Sequence, residues 1–458
     1  MKKVFGGIVA VFLLAATAFA GQLGERFPFF PSLVDTKASG EIPIDLFYKP
    51  NECRGCHGDI YNQWRGSMHS LARVDPIFLA LWEKAYKEAP ESTANLCSGC
   101  HAAPGVVSRS IKFNPKSGFE NPRLVDYGVQ CHLCHSISGS SKTATPTGMP
   151  ENCSIILDPT NTMRGPFENG VSLWHKTEFS EHFTKSEFCG NCHNLFHPAS
   201  NFPLENTYSE WKSSIYAEKG ITCQDCHMMP VDKALEAAAT LVRPKNPGYA
   251  SPVGPKRENI FSHEFTGANF AVQSLLGFPD KAENTRRLLK GAARLQLAAL
   301  GETAAGKPLT LKAIVSNIAG GHNLPTSLTE IRQMWLEVSV TDSSGEQVFA
   351  SGIATGGEEL PDDAIRFGSR AVDAKGLKTD LPWEVVKFSF NTTIPPKGDA
   401  VAKFEFTPPQ ISKWPLKATV RLRYRSISPV LALALLGKAA PVIDIVDMAK
   451  ETLAIESR

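Results

Sequence analysis

Beyond residue 292 apolar and polar residues alternate along the chain. The alternation runs through 293–298 (ARLQLA), 309–315, 335–340, 385–390, 402–406 and 418–424, and DSSGE at 342–346 reads as a turn between two such runs. Period-two alternation sends one set of side chains to each face of a strand. Six or seven short strands separated by turn residues predict an all-β sandwich of immunoglobulin type. The apolar tail at 429–449 is expected to pack back onto the protein.

Upstream the pattern changes. Residues 76–89 (PIFLALWEKAYKEA) and 279–290 (PDKAENTRRLLK) carry apolar positions at helical spacing, and 61–69 (YNQWRGSMH) reads as a further helix. Tyr208, Trp211 and Tyr216 follow one another at near-helical spacing and read as packing residues. Residues 228–291 read as a connector, with a Pro- and Gly-rich loop at 244–255. At the start, Lys2 and Lys3 precede an apolar run over 8–19, and Ala18-Phe19-Ala20 fits a cleavage site. That is the layout of a secretory signal at 1–20, with the mature chain beginning at Gly21. The run is short for a span, and the longest later candidate, 430–436, is seven residues, so no transmembrane span is expected. No Cys follows the cleavage site, so a lipid anchor is not indicated.

A chain of 458 residues is long enough for two or three domains. Its 48 basic and 46 acidic residues balance at 46 each once Lys2 and Lys3 are removed. Such a chain offers no basic field for nucleic acid.

Cysteine spacing carries the chemistry. Ten of the 11 cysteines fall into five copies of CxxCH: Cys53, Cys56 and His57; Cys97, Cys100 and His101; Cys131, Cys134 and His135; Cys189, Cys192 and His193; Cys223, Cys226 and His227. Zinc or disulfides could account for CxxC pairs but not for a histidine directly behind every one. Structural zinc also takes four ligands per ion, and ten cysteines do not divide into fours. A c-type haem uses all three residues: two thiols for the vinyl groups and the histidine as the proximal iron ligand. The sequence therefore predicts five covalently attached haems c behind an export signal. First cysteines lie 44, 34, 58 and 34 residues apart, too close for each segment to build its own core. The porphyrins are expected to be the core of residues 21–290, wrapped in short helices and loops. The β-sandwich then occupies 291–458.

The second axial ligand decides whether an iron carries electrons or offers an open position for catalysis. Seven histidines lie outside the motif positions: His69, His132, His175, His182, His197, His263 and His322. They suffice for a second histidine on each of five irons. His69, His182, His263 and His322 are read as distal ligands, with His175 and His197 competing for the fifth place. His132 sits inside a CxxCH loop and is read as packed on its own haem edge. Met68, Met149, Met163, Met228 and Met229 read as packing residues. Cys153, in an apolar run, reads as a buried inert thiol.

Several stretches resemble one family. These are 64–69 (WRGSMH), 128–137 (GVQCHLCHSI), 182–193 (HFTKSEFCGNCH), 207–211 (TYSEW), 220–228 (GITCQDCHM) and 321–326 (GHNLPT). They are similar to bacterial multihaem c-type cytochromes related to the tetrahaem cytochrome of ammonia oxidisers, in the branch with an immunoglobulin-like domain after the haem domain. The resemblance implies closely packed bis-histidine haems that pass electrons to partners, and points to His69, His182, His263 and His322 as distal ligands. Partners on this reading are other cytochromes, quinol-linked proteins or outer-surface electron-transfer proteins; some relatives polymerise into conducting filaments. Pentahaem nitrite reductases share the haem count, but their catalytic CxxCK is missing here. Two propionates per haem would add about −10 in charge, so acidic haem edges facing basic partner patches are expected. Two alternatives stand beside it: an enzyme with one open haem, acting on a small nitrogen or sulfur species, and a subunit of a conducting cytochrome filament.

Overall fold

The computed structural model describes residues 23–457; the predicted signal segment lies outside them. Among the described residues no helix is long and apolar enough to cross a membrane.

Up to residue 292 the chain is a succession of short helices and loops. The two longest helices are Pro76–Glu88 and Pro279–Ala292. Asp75 starts the first: its carboxylate accepts from the Ile77 amide at 2.8 Å, and Pro76 needs no hydrogen-bond partner at that position. The single helix expected over 61–69 is broken. Helix Gly58–Trp64 stops, the chain turns at Gly66 (φ 81°), and Ser67 caps a new helix, Met68–Leu71. Only glycine fits the turn, because a Cβ at Gly66 would lie 2.3 Å from the Phe278 ring. The segment read as a connector holds a helix the sequence reading missed, Val231–Thr240, which buries Val231, Ala234, Ala237 and Ala238.

The second half follows its alternation except at 385–390, where Lys387–Asn391 pairs only with Ser369–Val372, outside the two larger sheets. Strands β1 (Ala293–Gly301), β2 (Leu309–Asn317), β3 (Gln333–Thr341), β4 (Gln347–Ser351), β5 (Asp399–Phe406), β6 (Leu416–Arg425) and β7 (Val446–Ile455) form two antiparallel sheets. One has the order β1-β2-β5; the other runs β4-β3-β6-β7, with Ile365–Phe367 also paired to β3. Leu311, Ala313, Val315 and Phe404 of the first sheet share a buried cluster with Leu336, Val338, Val420 and Leu422 of the second. The expected apolar tail proves to be a helix, Pro429–Leu436, and the sheet strand β7.

β3 is buried on both faces. Trp335 is covered by Ala354 and Leu360 on the side away from the common core. Glu337, opposite Arg421 in the register, accepts from Arg421 at 2.7 Å and also from Arg423. A carboxylate at 8% exposure is tolerated because two guanidiniums reach it.

The two halves share apolar contacts. Helix Pro279–Ala292 runs directly into β1, and Phe270, Ala282 and Leu289 belong to the buried cluster of the sheets. Leu431 and Ala432 of the late helix pack with Ile77 of helix Pro76–Glu88. Each large side chain so buried contributes about 1.5–3 kcal/mol.

Candidate haem sites

Three of the CxxCH motifs lie on helices, Glu91–His101, Cys131–His135 and Cys223–His227, and helices Pro50–Arg54 and Glu187–Gly190 carry the first cysteine of the other two. One helical turn puts the two cysteines and the histidine on neighbouring positions of one face. The turns are held locally. Gln130 accepts from the His132 amide at 2.9 Å, and Asp225 accepts from the Thr222 amide at 2.8 Å while gripping Arg243 at 3.0 Å. All ten motif cysteines and all five motif histidines line one connected cavity of about 1960 Å³.

Four histidine pairs face each other across that space. Ring centres are 6.4 Å apart for His57 and His175, 6.1 Å for His69 and His193, 6.4 Å for His135 and His263, and 6.1 Å for His227 and His322. Two metal–nitrogen bonds of ~2 Å, plus ~1.2 Å from each nitrogen to its ring centre, allow up to about 6.4 Å. In each of the four pairs the two rings are thus close enough for both to reach one metal ion.

The other ring nitrogen tells the same story. A ligating histidine donates its second N–H, which fixes the tautomer and frees Nε2 for metal. Nδ1 of His57 meets the Ala250 carbonyl at 2.7 Å, His101 meets Ala72 at 2.8 Å, His135 meets Arg164 at 2.6 Å and His227 meets Thr266 at 2.6 Å. His175, His263 and His322 do likewise with Lys176, Phe261 and Asn323 at 3.0, 3.1 and 2.9 Å. His69 differs in that its buried Nδ1 has no partner. His193 differs in its acceptor, the carboxylate of Glu205 at 3.2 Å.

Burial holds most of these rings neutral, the form that binds metal. His69 is pushed down to about 3 by burial and then by neighbouring histidines; burial brings His227 and His263 to about 4. For His193 burial acts the same way, but the Glu205 carboxylate outweighs it and raises the ring to about 9. His193 is half exposed, and it faces the cavity.

His322 comes from the β half, on the loop after β2. Asn317 braces that loop: its amide donates to the His322 carbonyl at 2.9 Å and to Ile394 at 3.1 Å, and its oxygen accepts from Gly320 at 2.8 Å. Glu210 then ties the loop to the helical half, accepting from the Asn323 amide at 3.1 Å and from Thr326 Oγ1 at 2.7 Å. The opening of the third motif is pinned to the His69 helix. Val129 donates to the His69 carbonyl at 3.1 Å, and Gly128 (φ 60°) leaves room for it.

The remaining histidines are placed otherwise. His101 stacks on Phe78 at 3.7 Å, and among the described residues no histidine ring stands opposite it. His197 accepts at Nδ1 from Ala199 and Ser200 at 3.2 and 3.3 Å and donates from Nε2 to Trp383 at 3.3 Å, so neither nitrogen is free. His182 does not line the cavity; its Nε2 lies 3.3 Å from the Asn191 amide and its ring meets the edge of Phe188. The sequence reading of His182 as a distal ligand is thus not matched by its position. His132 stacks on Tyr48 at 4.4 Å and accepts from the Tyr48 amide at 2.9 Å. Cys153 is 1% exposed and donates to the Gly99 carbonyl at 2.8 Å, with its sulfur within 4.8 Å of those of Cys100 and Cys192.

The sequence reading missed Glu205 and the carbonyl acceptors. Carbonyls belong to every residue type, so no sequence signal marks them. Glu205 is delivered by a hairpin in which it pairs with Leu195, two residues past the fourth motif.

Sulfur contacts give the order of the sites. Cys53 adjoins Cys131, Cys100 adjoins Cys192, and Cys189 adjoins Cys223. The fourth motif is therefore flanked by the second and the fifth.

The family profile described as cytochrome c554 and c-prime matches residues 52–136. No curated protein matches the chain. The penta-heme cytochrome c552 of Thermochromatium tepidum has a similar structure, with a TM-score of 0.62 at 18% identity, covering 90% of this chain and 100% of that one. Red sea bream transglutaminase (11% identity, covering 36% of this chain and 15% of that one) aligns only at a TM-score of 0.16. A CARDB domain from Pyrococcus furiosus (10% identity, covering 36% and 86%) also reaches only 0.16, a level at which no common fold is claimed. Residues 52–136 thus carry the match to the cytochrome c554 family, and the chain shares the fold of a penta-heme cytochrome around a cavity that all five CxxCH motifs line.

Proposed function

We propose that the chain is an exported electron carrier that holds five haems c, four of them between two histidines, and hands electrons to other redox proteins. The observation that carries this reading is the set of four histidine pairs at 6.1–6.4 Å. Haem c, when attached, supplies a one-electron iron couple. What the chain supplies is position. With haem attached, His175, His69, His263 and His322 would hold the irons together with His57, His193, His135 and His227 and would exclude substrate there, and adjoining attachment cysteines would keep neighbouring sites close. On this reading residues 21–290 form the haem unit, and 291–458 form an immunoglobulin-like sandwich that lends His322 and braces it through Asn317. The partners are other cytochromes, quinol-linked carriers or outer-surface acceptors, met at acidic haem edges.

A second reading attaches to His101. Phe78 stacks beside it and no histidine stands opposite it among the described residues. The site at Cys97 and Cys100 is then the one place where a small molecule could reach an axial position. This reading keeps the oxidoreductase alternative open at one site only, without assigning a reaction.

Reductive titration of the holoprotein tests the carrier reading. Five electrons should enter per chain, and all should pass on when an oxidised cytochrome is added. Fewer than five, or a reduced protein that keeps its electrons in the presence of such acceptors, would overturn it.

A further inference from the structure

The five motif histidines are not bound alike at Nδ1. Four donate to neutral backbone carbonyls, at 2.6–2.8 Å. His193 alone donates to a carboxylate, Glu205 Oε1. Glu205 cannot swing away freely. It sits on the strand Pro203–Glu205, paired with Leu195–Phe196 directly after the motif, and its side chain is 14% exposed. The partner ring across the site, His69, has no acceptor at Nδ1. Any anionic character on that ligand pair therefore enters through Glu205.

A carboxylate on the far nitrogen of a ligating histidine pulls its proton away and raises the basicity of the nitrogen on the metal. A more basic axial ligand stabilises the ferric ion over the ferrous, and hydrogen bonding around the ligands is one of the levers on haem potential. We propose that Glu205 is a positioning residue that selectively lowers the reduction potential of the iron held by His69 and His193. This rests on the reading of those two histidines as ligands. The place matters: Cys192 of that motif adjoins Cys100, and Cys189 adjoins Cys223. The site tuned by Glu205 lies between the second and fifth sites. An electron crossing from one to the other meets a centre that is harder to reduce than its backbone-bonded counterparts.

The test is spectroelectrochemical titration of holoprotein, wild type against Glu205→Gln and Glu205→Asp, after the haems per chain are counted by mass. In Glu205→Gln one of the five one-electron waves should move to higher potential while four stay in place. One low-spin resonance should change its g values at the same time. Glu205→Asp, which keeps the carboxylate, should move that wave less. Five unmoved waves would overturn the role of Glu205 and leave the ligand reading intact. All five moving together would assign Glu205 a general structural role and equally overturn the proposal. A wild-type protein with fewer than five haems would instead overturn the underlying ligand reading.

Discussion

Nδ1 distinguishes most of the histidines placed for a metal from the others, His69, whose Nδ1 has no partner, being the exception. Where Nδ1 donates to a fixed acceptor, Nε2 is left with its lone pair, as at His175, His263 and His322. His197 is wired the other way round, with Nδ1 accepting and Nε2 donating to Trp383. His175→Ala should therefore turn one low-spin haem high-spin in the visible and paramagnetic resonance spectra. His197→Ala and His182→Ala should leave those spectra as they were. A spectrum unchanged by His175→Ala and altered by His197→Ala would reverse the assignment. The motif residues were legible because covalent attachment demands adjacency in sequence. The second ligands were legible only as a pool of candidates. Proximity in sequence is a poor guide there: His182 lies seven residues before Cys189, yet the turn Glu181–Thr184 folds its ring onto Phe188.

At the level of elements, the loop after β2 carries a histidine of the β half into the cavity lined by the motifs. Asn317, fully buried, makes three hydrogen bonds that shape the loop carrying His322. Asn317→Ala leaves buried carbonyls without donors, at a cost of about 1–3 kcal/mol. Denaturant unfolding of the holoprotein should show a loss of that order, together with a partial high-spin signal from the site of His227. Full stability with unaltered ligation would mean the loop is held by its ties to Glu210 alone. The strands themselves were visible in the sequence, since alternation reports the face that is buried. β7 escaped because its register with β6 is set by a strand 21 residues earlier and not by its own tail-like composition. The break at Gly66 escaped because its cause, Phe278, lies more than 200 residues downstream.

For the whole molecule, the sheets have a core of their own, while the helical half is arranged around the cavity lined by the motifs. That contrast is why the β half could be read from periodicity throughout, while in the helical half periodicity marked only the helices at 76–88 and 279–292. In the helical half the pattern of side chains answers to porphyrins, which leave no period in the sequence. The central claim is that four sites carry two histidines each and that the site of His101 carries one. Electron paramagnetic resonance of the resting ferric holoprotein, with five haems per chain verified by mass, measures this directly. Four low-spin irons and one high-spin iron per chain are predicted, the high-spin signal surviving in His175→Ala alongside a second one. Five low-spin irons would contradict the account by placing a strong ligand opposite His101, and two or more high-spin irons in the wild type would contradict the histidine pairs.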